Sequence, residues 1–254
     1  MIRNSLNQVL ILTISNMKSR YRKTIAGFFW VIANPILMFF VQSTVFKKIL
    51  NIQITGYSVF LLGGLLPWIF IVSTLDMCAT ILLNNGEVLR SYNINPTVIV
   101  LSQVLDNLIN FLAAFFILLI VFALLGNIRF APLLLFPLSL SVLAIFVFSI
   151  SWIVSILQVF YRDIKFIIQF GTSILYFLTP IFYPQEMVPQ NLQYIIELNP
   201  LYILISPIRS NVYNFTLDLY VAQIIKAMLV SGITLLIARK LWDIKKNEFY
   251  QFLR

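Results

Sequence analysis

Lys18, Arg20, Arg22 and Lys23 place four cations within the six residues KSRYRK, and an apolar, aromatic run, TIAGFFWVIANP, follows directly. Side chains of this kind at this density attract phosphate oxygens. The cluster therefore fits three partners: nucleic acid, an anionic membrane surface, or the lipid at the inner end of a membrane helix. Few other residues are equipped for chemistry. The sequence has no histidine, which excludes histidine metal sites, histidine general bases and histidine triads. Cys78 is the single cysteine, so no internal disulfide forms. No G-x-x-x-x-G-K-[ST] phosphate loop is present, and ATP hydrolysis by that route is not expected of this chain. Asp76 and Asp106 stand alone within apolar runs. Intramembrane charge points to function by default, but isolated carboxylates toward one end of a span read first as structural ion pairs or snorkelled positions, ahead of a proton relay.

The elements that must carry these residues are membrane helices. Of 254 residues, 60% are hydrophobic and 11% charged, with mean hydropathy +0.93, against roughly 25% charged in a soluble domain. Six apolar stretches are long enough to span: roughly 25–46, 57–83, 97–125, 132–160, 164–183 and 219–238. Ahead of them, Leu6, Val9, Leu10, Ile14 and Met17 recur at helical spacing among Asn4, Asn7, Gln8, Ser15 and Lys18. That pattern predicts an amphipathic helix on the membrane interface, or one packed on a partner domain. Asn4, Ser5, Asn7 and Gln8 interrupt any apolar signal core, so no cleaved leader is expected. With the N-terminus placed inside, thirteen Lys and Arg fall on the inner side and five, Lys47, Lys48, Arg129, Arg209 and Lys226, on or near the outer. The positive-inside rule thus predicts both termini in the cytoplasm, and the opening cluster reads as an anchor for the first span.

Three connections stand out. NNGEVLRSYNINP, 84–96, is short and polar. Glu87 and Arg90 share a face if it is helical, Asn84, Asn85 or Gly86 begin that helix and Pro96 ends it. Such a helix between two inner span ends is placed to transmit force from a cytoplasmic partner, and a plain loop is the alternative. In QVFYRDIKF, Tyr161, Arg162, Asp163 and Lys165 form a charged turn at the inner surface, which spacing alone reads as a snorkelling interface turn. Residues 176–214 hold five of the ten prolines, at 180, 184, 189, 200 and 207. The stretch is too broken for a clean span and too apolar for a solvated loop. It predicts two short helices, about 190–198 and 201–210, as a re-entrant hairpin in the outer leaflet, or else a packed extracellular cap.

Taken together, SRYRKTIAGFFWVIANP, NNGEVLRSYNINP, VFYRDIKFI and TPIFYP followed by LNPL resemble the membrane subunit of polysaccharide-exporting ABC transporters, the type-2 permeases that export O-antigen, teichoic acid or capsule-like polymers. The resemblance covers essentially the whole chain, although the connection around Arg90 is less basic than the family pattern. It implies an all-α integral membrane protein of the bacterial inner membrane. The expected architecture is one permease domain over 1–254, with six transmembrane helices, an N-terminal amphipathic interface helix (1–23) and re-entrant outer helices between the fifth and sixth spans. It implies a homodimer with two copies of a separate ABC ATPase, which binds the ATP and Mg that this chain does not. The substrate implied is an undecaprenyl-linked polysaccharide, with no nucleic acid. By the same resemblance, 84–95 is the coupling helix, with Asn85, Glu87 and Arg90 in contact with the ATPase. Tyr161, Arg162 and Asp163 form the inner-surface turn, and 184–210 is the outer gate, with Tyr183, Pro184, Pro189, Asn199 and Pro200. Sugar rings favour aromatic planes and neutral polar groups, so Phe28, Trp30, Phe39 and Tyr57 are the expected channel wall; an aromatic interface belt is the plainer reading of each. The rival readings are a type-2 permease for a lipid or drug, a secondary transporter, which calls for inverted repeats or broken helices around an ion site, and a membrane enzyme acting on lipid-linked sugars.

Overall fold

The computed structural model describes residues 2–22, 27, 29–92, 94–124 and 131–253. Lys23, Phe28 and Arg129 lie outside the described residues. Among the described residues the regular structure is helical throughout, with no strand. In chain order the helices are α1 (Ile2–Tyr21), α2 (Phe29–Ser43, running on through a π-helical turn to Ile49), α3 (Tyr57–Asn84), α4 (Gly86–Ser91), α5 (Pro96–Leu124), α6 (Phe136–Phe160), α7 (Ile164–Leu178), α8 (Gln193–Glu197), α9 (Pro200–Val212) and α10 (Leu217–Phe252).

Five of the expected spans appear as helices long and apolar enough to cross a membrane: Phe29–Ile49, Tyr57–Asn84, Pro96–Ala123, Ala131–Phe160 and Leu217–Phe252. The expected span over 164–183 differs. It is helical only over the 15 residues of α7, about 22 Å at 1.5 Å per residue, which is short of a core about 30 Å thick. Pro180 is the physical reason. A proline lacks the N–H that would continue the ladder and pushes the residue before it out of the helical region, and Thr179 is accordingly extended, with φ −93° and ψ 127°. The last helix differs in the other direction. It extends past 238 to Phe252, and its charged final turns carry Lys245 paired with Glu248 and Lys246 paired with Asp243.

The core is built around α3. A helix apolar on every side belongs in the interior, and α3 packs against α2, α5, α6, α7 and α9. Gly63 and Gly64 bring α9 unusually close to it. A Cβ on Gly63 would sit 3.0 Å from Val212 Cγ2, and a Cβ on Gly64 would overlap Arg209 Nη2. α2 and α10 instead leave most of their apolar surface exposed, Phe29, Phe40 and Val41 on the first and Leu229, Ile233 and Leu236 on the second. In a membrane chain such faces meet lipid or another subunit.

α1 packs along α5 in the same direction: Thr13 and Asn16 meet Ser102, and Arg20 reaches Asp106 and Asn107. Its faces are mixed: Val9 and Thr13 are buried toward α5 and Leu12 is half-buried, while Leu6, Leu10, Ile11 and Ile14 are exposed together with Asn7, Gln8, Ser15 and Lys18. The exposed apolar residues suit contact with hydrocarbon. Arg20 is no free anchor. It forms an ion pair with the buried carboxylate of Asp106, which also accepts from Gln103 Nε2 at 3.2 Å.

Candidate functional site

Two regions, at opposite ends of the bundle, collect the residues singled out above. At one end, the C-termini of α3, α6 and α10 meet the start of α5. Here α4 is held by a single apolar anchor. Leu89 is buried, Gly86 packs 3.4 Å (measured from an added Cβ) from Leu253, and Glu87 and Arg90 face outward, exposed. Asn85 turns the chain between α3 and α4: its backbone N–H and its Nδ2 both donate to Ile81 O, at 3.1 and 2.8 Å. Half-buried, it joins the two helices beside the exposed Glu87 and Arg90.

The turn between α6 and α7 stands at the same end. Tyr161, Arg162 and Asp163 are exposed, and Tyr161 keeps 59% of its surface. The brace of this turn is Gln158, which sequence reading passed over. Its Nε2 donates to Arg162 O at 2.8 Å and its Oε1 accepts from Lys165 N at 2.7 Å. The end of α10 ties α4 and this turn together. Phe252 packs on Phe160 at 4.9 Å between ring centres, Lys245 Nζ lies 4.7 Å over the Phe160 ring, and Leu253 reaches Gly86. The structure therefore gathers α4 and the 161–163 turn on one surface, joined by the C-terminal helix.

At the other end, the proline-broken stretch resolves into two parts of different character. From Tyr183 to Leu198 it runs through short turns (Gln185–Met187, Gln190–Leu192) into α8, mostly exposed, with Ile196 its buried residue. Tyr183 Oη donates to Phe177 O at 2.9 Å; Pro184 is half-buried and Pro189 exposed. α9 is instead buried along most of its length, against α3, α6 and α10. Its start follows the N-cap rule, with Asn199 Oδ1 accepting from Leu201 N at 3.0 Å and Pro200 at the first helical position. Asn199 also donates Nδ2 to Thr179 Oγ1 at 2.9 Å, tying the start of α9 to the end of α7.

A second tie is Arg209. The residue is 8% exposed, with no carboxylate partner among the described residues. Its Nη1 donates to Pro180 O at 2.8 Å and its Nη2 to Ile181 O at 3.3 Å, and the guanidinium carbon lies 4.3 Å over the Phe60 ring. The chain beyond α7 is no longer helical, so Pro180 O and Ile181 O have no helical donors, and Arg209 supplies them from α9. Positive-inside counting had set Arg209 aside as an outer cation. The signal that identifies it is a lone arginine in an otherwise apolar helix, LYILISPIRSNV.

The expected channel-wall residues separate. Trp30 is exposed on α2. Phe39 is half-buried and packs edge to face with Phe40. Tyr57 lies inside the protomer, 2% exposed, and its Oη donates to Phe182 O at 3.1 Å. It therefore presents no wall surface; its place is another tie on the broken segment. Phe46 stacks on Phe182 at 4.9 Å, and Gln42 Nε2 donates to Tyr176 Oη at 2.6 Å, so α2 holds the same segment.

Comparison with known proteins follows the same outline. The chain is 29% identical over 214 residues to the O-antigen export system permease protein RfbA of Klebsiella pneumoniae, an alignment covering 83% of this chain and 82% of the relative. A second RfbA from the same organism is 30% identical over 197 residues, 76% of this chain and 75% of the relative. The RfbA of Myxococcus xanthus is 24% identical over 235 residues, 92% and 90% of the two chains. Residues 7–213 match the family described as ABC-2 type transporter, a stretch that takes in α2 to α9 and most of α1. This multi-pass membrane chain belongs to the ABC-2 type transporter family.

Proposed function

We propose that the chain is the membrane-spanning permease subunit of an ATP-driven exporter that moves lipid-linked polysaccharide of the O-antigen type outward across the bacterial inner membrane. The observation that carries this reading is near full-length likeness to permeases named for O-antigen export. Two copies of the chain enclose the channel, and two copies of a separate ATPase bind ATP and Mg2+ below it. The substrate is a polymer on an undecaprenyl-type carrier.

In this reading α7 and the chain after it complete the sixth passage. The surface carrying α4 is cytoplasmic, with Glu87 and Arg90 as contacts for the ATPase and Tyr161, Arg162 and Asp163 beside them. Two observations support that orientation. The clustered cations of the tail lie on α10 at this end, and α1 and α5 begin there too, so both chain ends share a side. The α8–α9 segment is the outer gate. Trp30 and Phe39 face the sugar chain, and Tyr57 supports the wall from behind.

The test is removal of the chain from its host, followed by staining for surface polysaccharide, with affinity purification in mild detergent. Loss of surface polymer, accumulation of carrier-linked polymer inside and co-purification of a nucleotide-binding protein are expected. Normal surface polymer with a lost lipid or drug flux would assign the permease to that other cargo.

A further inference from the structure

A cavity of about 480 Å3 opens between α2, α3 and α5, within the range of about 300–1,000 Å3 common to small-molecule sites. Trp30, Pro35, Leu66, Phe70, Phe111 and Ala114 make it apolar over most of its wall. Its polar wall is made by Arg20, Asn34, Ser73, Asn107 and Asn110. Asn107 is 4% exposed; its Oδ1 accepts from Arg20 Nη2 at 2.8 Å, and its buried Nδ2 has no partner among the described residues. An unmet buried donor is costly unless a ligand or water accepts from it. Arg20 makes its described contacts, to Asp106, Asn107 and Met77, through Nη2, which leaves Nε and Nη1 as further donors. Lys18 and Arg22 flank Arg20 in the chain and are exposed, so positive charge remains after Asp106 is neutralised.

A largely apolar cavity with Arg20 at one corner, its Nε and Nη1 free of described contacts and Lys18 and Arg22 close by in the chain, suits an amphiphile with an anionic head. We propose that it holds one acyl chain of an anionic phospholipid, with the phosphate against Arg20 and Asn107. The volume suits a single fatty-acyl chain and is too small for the much longer tail of a polyprenyl carrier. Occupancy fills the gap between α2, otherwise largely exposed, and the α3–α5 pair. The position of the first span then depends on the lipid composition of the membrane.

Native mass spectrometry of the purified full-length chain tests this, with phosphatidylglycerol, phosphatidylcholine or a polyprenyl phosphate added at equal concentration. Retained phosphatidylglycerol should exceed phosphatidylcholine by about fivefold, the scale of one cation acting on one lipid charge. Ala114→Phe, which fills the apolar part, should abolish retention of both. Asn107→Leu, which removes a polar group beside the phosphate that both lipids carry, should lower retention of both and leave their ratio near fivefold, because Arg20 remains. Equal retention of the two lipids by the unmodified chain overturns the proposal, as does retention that neither substitution alters. Displacement of phosphatidylglycerol by an equimolar polyprenyl phosphate also overturns it, since the cavity then belongs to a substrate carrier. The head-group comparison needs no substitution, so the proposal remains testable if Ala114→Phe fails to fold.

Discussion

Arg20, half-buried, and Arg209, buried, show what a charge does inside this bundle. Arg20 pairs with Asp106, whereas Arg209 has no carboxylate partner among the described residues and donates to Pro180 O and Ile181 O. Removing one partner of a buried pair leaves the other charge uncompensated, at about 3–5 kcal/mol. Arg20→Met is therefore expected to destabilise the chain by about 3 kcal/mol, the low end of that range, because the Arg20 side chain is 25% exposed. Asp106→Asn should cost less, since an amide oxygen still accepts from Arg20 and Gln103. Thermal unfolding in detergent ranks the two. For Arg209 the informative change is on the opposite helix. Gly64→Ala drives a methyl into the guanidinium and should cost about 1–3 kcal/mol. Arg209→Met should cost a similar amount by orphaning Pro180 O and Ile181 O. Because the two substitutions disrupt one contact, the double variant should fall short of their sum; strict additivity would show that Arg209 does not fasten α9 to α3. The pairing role of Asp106 was legible in the sequence, as an isolated carboxylate near a span end. Its partner was not, because an ion pair between residues 20 and 106 is set by how α1 docks on α5, and no local pattern encodes that. Gly63 and Gly64 were equally silent, since nothing in a glycine pair names the arginine that will fill the space.

Among the elements, α4 was the most readable and α7 the least. The Asn-Gly start matches the helix that forms at Gly86–Ser91, but that helix ends at Ser91 and Pro96 opens α5 instead of closing α4. α7 ends at Leu178, short of the expected 183, because a hydropathy window averages across Thr179 and Pro180, whereas the backbone does not. α1 is legible from its period, but its apolar residues divide between the two faces, with Val9 and Leu12 toward the core and Leu6, Leu10, Ile11 and Ile14 outward. The division of labour within α4 gives a sharp expectation. Leu89 holds the helix down, and Glu87 and Arg90 only face outward. Leu89→Ala should lower stability by about 2–4 kcal/mol, as cavity-forming substitutions do. Glu87→Ala and Arg90→Ala should leave stability within about 0.5 kcal/mol of the parent yet reduce export. Cysteines at the same two positions should crosslink to the ATPase. Failure to capture it from either position would remove α4 from the coupling path, whatever the export defect.

At the scale of the molecule, the bundle has one end made of helix termini and exposed charge and another made of a segment folded back on the core. Within that segment the contrast between parts decides how it works. α9 is buried, capped by Asn199 and held by Arg209, so it belongs to the rigid body. The stretch from Glu186 to Glu197 is mostly exposed and carries only short turns and α8. A resting exporter must seal against ions, yet a polymer must pass. The part free to move is the part with few buried contacts, because local opening costs least there. Deleting 186–197 removes that part and spares the Asn199 cap, the Arg209 ties and the Tyr57 bond to Phe182. The shortened chain is therefore expected to fold, insert and form its complex. Reconstituted in liposomes with its ATPase, it should pass small ions at rest where the parent does not, and it should fail to retain control of export. Conductance is the measurement. A sealed deletion variant that exports normally would make this stretch an extracellular cap and move the gate onto the apolar faces of α2 and α7, where Phe40 and Phe170 remain exposed in the single protomer.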